Sequence, residues 1–309
     1  MISVVKKVFH FMGKGGVGKT TSAATQASLL SERGKTLIVS LDPAHNLGDV
    51  LGAKVGEEPE EVAPNLYAAE PNVDRIISSF VKRVVEELQD HYKYLKVYNL
   101  DNVLRVLEYT PGVEEQALLE ALAKFMNLEV FDYLVIDHAP TGLSVRVLLL
   151  PEIMEGWLER LIELRKQIIK RRKILGDDEE DQVLNILLEE LEKNKKLKEL
   201  LKDPERSSVI VVLNPEEMPF LEAKRIKDTL ADFGIPLCGV VVNKIVSERH
   251  EDSIVRSIME EQKRWLSRIN EEFKDYKIIR VPYLVPPPKG LETLKKVGRE
   301  VWGGALCCS

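Results

Sequence analysis

The stretch Phe9–Ala24, FHFMGKGGVGKTTSAA, sets Gly15, Gly16 and Gly18 beside two lysines, Lys14 and Lys19, directly after an apolar run. Two ammonium groups in one tight loop repel each other, so the loop calls for a strongly anionic ligand between them. Gly13–Thr20, GKGGVGKT, fits the spacing G-x-x-x-x-G-K-[ST]. Val4–Met12 reads as a buried strand before it, and Thr20–Arg33, closing at Gly34, as a helix after it. In that setting glycines let backbone N–H groups turn inward around phosphate oxygens, and the helix N-terminus adds positive partial charge. The candidate nucleotide contacts are therefore Gly13, Lys14, Gly15, Gly16, Val17, Gly18, Lys19, Thr20 and Thr21. Lys19 reaches the β- and γ-phosphates of ATP, and the Thr20 hydroxyl is a ligand for Mg²⁺.

Working outward, further Val/Ile-rich runs follow at KTLIVSLD, ending at Asp42, at Phe131–Asp137, at SSVIVVLNP, ending at Pro215, at CGVVVNKI and at Tyr276–Leu284. They are continuous rather than alternating, as strands buried on both faces of a parallel sheet are. Helical stretches such as Leu221–Phe233 lie between them. The expectation is an α/β fold, a doubly wound and mostly parallel sheet. Two segments break the alternation, about 71–127 and about 151–204, with apolar residues at helical spacing. They are read as one inserted helical subdomain beside a core of about 1–70, 128–150 and 205–309. Leu118, Leu122, Trp157 and Leu161 are its candidate apolar contacts.

Composition bounds the rest. The net charge of −6 over 309 residues shows no basic tail or arm, which speaks against nucleic acid as a partner. Three cysteines, Cys238, Cys307 and Cys308, cannot make a disulfide framework. No run approaches a membrane span and the opening residues lack a signal-peptide layout, so a cytoplasmic protein is expected. The five histidines do not pair with cysteines at zinc spacing, and no zinc is expected.

Two carboxylates end strands. Asp42, in SLDPAHNLGDVL, is placed to hold the attacking water near the γ-phosphate or to touch Mg²⁺ through water. Asp137, in VIDHAPTG, suits a Mg²⁺ role through water. Asn243 carries a side-chain amide able to pair with an adenine edge through donor and acceptor. Pro282, in VPYLVPPPKG, is a candidate wall for the base.

With KGGVGKTT intact, the loop resembles the deviant Walker A subgroup of P-loop ATPases. DPAHNLGD, PGVEE, DHAPTG, EEMPFLEAKRI and VVNK then follow in order over nearly the whole chain. The sequence so resembles the arsenite-pump and tail-anchored-protein-targeting ATPases. That resemblance implies a nucleotide-sandwich homodimer in which Lys14 reaches the partner's phosphates, Asp42 is the catalytic acid/base, and Glu216 and Asn243 contact nucleotide. It implies a transmembrane helix of a tail-anchored client as the bound partner, and a membrane receptor. The alternatives are the ATPase of an arsenite efflux pump and a partitioning-type ATP switch. Departures from the family are also plain. No cysteine lies between Asn243 and Tyr276, where the eukaryotic targeting factors share zinc, and none lies in the helical segments. His138 stands where the family has threonine.

Overall fold

The apolar runs form strands because alternate residues face two separate helical layers. In the computed structural model, which describes residues 5–44, 46–91, 110, 112–174, 181–246 and 253–306, the chain runs β1 (Lys7–Met12), α1 (Lys19–Leu30), β2 (Thr36–Ser40), α2 (Leu47–Leu51), β3 (Glu60–Ala63) and β4 (Leu66–Ala69). It continues α3 (Val73–His91), α4 (Val113–Met126), β5 (Tyr133–Asp137), α5 (Thr141–Ile174), α6 (Gln182–Lys202), β6 (Ser207–Leu213) and α7 (Glu217–Asp232). It ends β7 (Leu237–Ile245), α8 (Ser253–Glu272), β8 (Lys277–Pro282) and α9 (Leu291–Glu300). The sheet order is β3-β4-β2-β5-β1-β6-β7-β8. Every pairing is parallel except the edge pair β3–β4. This is the expected doubly wound α/β architecture.

Val8 and Met12 of β1 face one layer with Leu134, Ile136, Val209, Val211, Val240 and Val242, packed against α4, α5, α7 and α8. Phe9 and Phe11 face the other layer with Val135, Ile210, Val212 and Val241, packed against α1, α2 and α9. Each strand is thus apolar on both sides, which explains the unbroken Val/Ile runs. The hairpin β3–β4 escapes a reading by periodicity. Glu60 and Glu61 at the open edge are exposed, and the turn is made by Asn65 at a positive φ of 61°. β1 sits between β5 and β6, so chain reversal on its two sides opens a crevice at its C-terminal end, where the glycine loop begins.

Helix α5 is one element over 34 residues, and it runs through Pro151. It starts at Thr141, four residues after β5 ends, and so runs from the core segment into the segment that begins near 151. Its distal half packs with α6 around a small core of its own, Leu158, Ile162 and Leu191. Asp181 clasps the hairpin: its carboxylate accepts the Leu184 amide at 2.9 Å and takes Arg165 Nε at 2.9 Å. The opposite stripe of α5, Ile153, Trp157, Leu161, Leu164 and Ile168, is 44–63 % exposed.

The other expected apolar contacts are corrected. Leu118 is 3 % and Leu122 0 % exposed, and both belong to the core against the sheet. Helical spacing marks an apolar face but not what covers it, and α4 lies flat on the sheet. Cys238 is disulfide-bonded, a single bond and no framework. Residues 175–180, His45, and Cys307 with Cys308 lie outside the described residues. Since Leu122 is fully enclosed, Leu122→Ala should lower the unfolding free energy by roughly 2–5 kcal/mol, read from urea denaturation; a loss below about 1 kcal/mol would place it outside the core.

Candidate nucleotide site

The glycines of the loop answer to close backbone approach. Gly13 has φ 149°, and a Cβ there would lie 2.1 Å from the Val212 carbonyl oxygen. Gly18 has φ 96°, and its Cβ would lie 2.3 Å from Asn243 Nδ2. Alanine at 13 would collide with the β6 backbone, and at 18 with the Asn243 side-chain amide at a φ that L residues rarely adopt. From the end of β7, Asn243 Nδ2 donates to the Val17 carbonyl at 2.8 Å, and Asn243 Oδ1 accepts the Lys244 amide at 2.9 Å. Lys244 Nζ donates to the Gly16 carbonyl at 2.8 Å.

Lys19 is 4 % exposed, with Nζ 3.8 Å from Asp42 Oδ2. Asp42 is held by its own turn, its Oδ1 accepting the Ala44 amide at 3.0 Å. Asp137, fully buried, accepts Thr20 Oγ1 at 2.7 Å and Ser40 Oγ at 3.1 Å, both on Oδ2. Ser40 Oγ in turn accepts the Asp42 backbone amide at 3.4 Å, so one serine ties the Asp137 carboxylate to the Asp42 backbone. Asp137 Oδ1 is buried without a hydrogen-bond partner among the described residues. Burial pushes the Asp137 carboxyl up from 3.8 to about 6, against the pull of Thr20 and Lys19. A hydroxyl beside a carboxylate with an open oxygen suits Mg²⁺, a hard cation that keeps several of its waters. Thr20 and, through water, Asp137 are the residues that would hold it.

Behind Asp137 lies a pair that sequence reasoning did not connect. His10 Nδ1 and His138 Nε2 are 3.0 Å apart and both rings are buried. Burial drives the His10 pKa down to about 3 and lowers that of His138 well below its ordinary value. Neutral rings can share one proton in a hydrogen bond; two imidazolium ions there could not. The pair fastens the residue after Asp137 to β1, reinforced by the His138 amide donating to the Phe11 carbonyl at 3.2 Å.

A cavity of about 310 Å³ opens beside the loop, bounded by Gly16, Gly18, Thr21, Asn243, Lys244, Pro282, Tyr283 and Trp302. Pro282 thus joins the loop and Asn243 around one space. Glu216 stands apart: it is exposed, and its carboxylate meets Asn214 Nδ2 at 3.4 Å and not the loop. Lys14 makes no hydrogen bond or ion pair among the described residues. The sequence reading overlooked Ser40, His10 and Lys244, because each acts through a neighbour distant in sequence.

The sequence profile of the family described as "Anion-transporting ATPase" matches residues 6–303. The chain is similar to a protein of Aquifex aeolicus (strain VF5) provisionally named arsenical pump-driving ATPase 2, with 32 % identity over 95 % of this chain and 98 % of that one. It is also similar to ATPase ASNA1 homolog 1 of Paramecium tetraurelia, 29 % identical over 92 % of this chain and 88 % of the relative. ATPase GET3 of Debaryomyces hansenii is 28 % identical over 93 % of this chain and 87 % of its own length.

Asp137→Asn keeps an oxygen for Thr20 and Ser40 but removes the buried charge. The unfolded wild-type chain ionises this group near pH 4, whereas the folded one resists until about 6. The wild type therefore loses stability as pH rises through that window, and the variant does not. Without nucleotide, Asp137→Asn should be more stable by up to about 3 kcal/mol above pH 6, the gap shrinking toward pH 5. Thermal melts of both proteins across that range test this; a gap that widens in acid would reverse the sign.

Proposed function

Because this chain belongs to the anion-transporting ATPase family and is an ATPase, we propose that it couples ATP hydrolysis in a homodimer to binding the transmembrane helix of a tail-anchored client, delivering it from the cytoplasm to a membrane receptor. Names among its relatives support both this reading and arsenite pumping. Arsenite seeks soft thiolates, and the segments of α3 to α6 contain no cysteine, so the client reading is preferred.

In the proposed mechanism the glycine loop and the N-terminus of α1 hold the phosphates, with Lys19 opposite the charge that develops on the transferred group. Thr20 and, through water, Asp137 would hold Mg²⁺, which would supply charge neutralisation at the phosphates when bound. Asp42 orients the attacking water and takes its proton. Asn243 and Pro282 border the base, and Glu216 contacts nucleotide from outside the loop. Lys14, without a partner in its own chain among the described residues, serves the phosphates bound by the second subunit. Closure rests on nucleotide and these lysines, with no part for zinc.

The observation that carries the client reading is the continuity of α5. The helix begins four residues after Asp137 and carries its exposed stripe from Ile153 to Ile168, about 22 Å at 1.5 Å per residue. A change at the γ-phosphate that moves residues 138–140 has a rigid path to that stripe. A row of large apolar side chains at helical spacing fits an apolar helix laid alongside it.

Two experiments test these claims. Trp157→Glu with Leu161→Glu should abolish crosslinking to a tail-anchored peptide while melting temperature and basal ATPase stay within error of wild type. Intact crosslinking would refute the docking face. For the dimer, inactive Lys14→Ala and Asp42→Asn chains are mixed in equal amounts. A mixed dimer keeps one site with both residues intact, so about a quarter of the wild-type rate should return at random pairing; no return at any ratio excludes action in trans.

A further inference from the structure

Lys244 is the one non-glycine residue besides Asn65 with a left-handed backbone among the described residues, at φ 57°. A lysine gains nothing locally from that conformation, and such residues persist where their surroundings over-determine them. The surroundings here do so from several directions. The Lys244 amide donates to Asn243 Oδ1 at 2.9 Å. Its carbonyl accepts Gln262 Nε2 at 3.1 Å, while Gln262 Oε1 accepts the Val246 amide at 2.9 Å. Gln262, on α8, is 8 % exposed, so a buried side-chain amide is committed to holding this kink. The kink coincides with the register shift between β7 and β8 at Val242/Ile245. Its effect is to turn the lysine stem back over the glycine loop, where Nζ meets the Gly16 carbonyl at 2.8 Å.

The neighbouring side chain does the same one peptide further on, Asn243 Nδ2 meeting the Val17 carbonyl at 2.8 Å. Two consecutive side chains thus hold two consecutive carbonyls of the loop. In a trans peptide the C=O and the following N–H point in opposite directions. A Gly16 carbonyl fixed toward β7 therefore fixes the Val17 N–H away from it, and the Val17 carbonyl does likewise for the Gly18 N–H. Those N–H groups are what a phosphate nest consists of. Left alone, glycine at 16 and 18 would let both peptides flip at little cost.

We propose that Lys244 is a positioning residue of the phosphate site: with Asn243 it pre-sets the Gly16–Val17 and Val17–Gly18 peptides so that their N–H groups face the anion before nucleotide arrives. Gln262 anchors this brace from α8. The proposal rests on the phosphate-binding reading of Gly13–Thr20, and the wild-type measurements below test that reading separately. Lys244 also borders the cavity beside the loop, so direct contact with a base or a phosphate is the rival role.

The test uses the full-length protein. Lys244→Met keeps the stem and removes the ammonium, and Lys244→Arg restores a donor. Calorimetry with Mg-ADP and Mg-GDP is combined with displacement of a fluorescent ADP by inorganic tripolyphosphate. Losing one charge-assisted hydrogen bond should weaken ADP and tripolyphosphate alike, by about tenfold, with the ADP-to-GDP preference unchanged and Lys244→Arg recovering most of the loss. The Val17 amide resonance of the nucleotide-free protein should shift in Lys244→Met, since the peptide is set without ligand. Affinity within twofold of wild type overturns the proposal, as does a lower melting temperature with affinity per folded protein retained. A changed base preference, or weaker binding with an unmoved Val17 amide, overturns it in favour of direct contact. Failure of the wild type to bind either ADP or tripolyphosphate would overturn the phosphate site itself.

Discussion

A carboxylate sealed from water holds the site together. Asp137 ends β5 beside β1, and its Oδ2 takes hydroxyls from α1 and from β2. Helix α1 and the paired strands β2 and β5 are thereby joined at one oxygen at the C-terminal edge of the sheet. Keeping a charge there is costly, which is why its carboxyl titrates near 6, and the open Oδ1 leaves a cation something to gain. The helix that follows the glycine loop and the strand end leading into α5 therefore share a common point, the one at which the proposed mechanism would hold Mg²⁺. The buried imidazoles of His10 and His138 stand behind it, fastening the first residue after Asp137 to β1.

The loop is supported from its far side as well. Strand-to-helix turns rich in glycine bind phosphate because they are free to bend, and that same freedom leaves them unshaped without ligand. Asn243 and Lys244 supply the missing constraint from β7, at the cost of a left-handed lysine, and Gln262 holds the lysine in place. Contact with β6 at Gly13 and with β7 at Gly18 limits the loop to glycine at these two places. The glycine loop is thus held between β1, which leads into it, and β6 and β7, some two hundred positions further along the chain.

The layers divide the labour. On one face α1, α2 and α9 close over the sheet, and the buried Gln26 of α1 pairs both its amide atoms with the Leu306 backbone. On the other, α4 and the first turns of α5 are core, while the remainder of α5 leaves the sheet with α6 as a hairpin having its own apolar centre. One helix is therefore core at Val147 and Leu148 and exposed at Trp157. The strand end at Asp137 and the apolar stripe are linked by a single continuous helix.

Much of this was legible in the residues alone. Continuous Val/Ile runs carry a local physical signature, and so they announce the parallel sheet, while a glycine loop at fixed spacing and aspartates at strand ends single out Lys19, Asp42 and Asp137 as candidates that the fold brings to one sheet edge. The short edge hairpin β3–β4 carries almost none, being half polar and four residues a strand. What the tertiary structure alone decided is which side of each helix is covered. Leu122 and Leu161 share the same apolar spacing, yet one is enclosed against the sheet and the other faces solvent. It also decided which distant side chains share a hydrogen bond: His10 with His138, Ser40 with Asp137, Lys244 with Gly16. Periodicity reports the direction of a side chain from its own backbone, whereas burial and pairing depend on what the rest of the chain brings to that side.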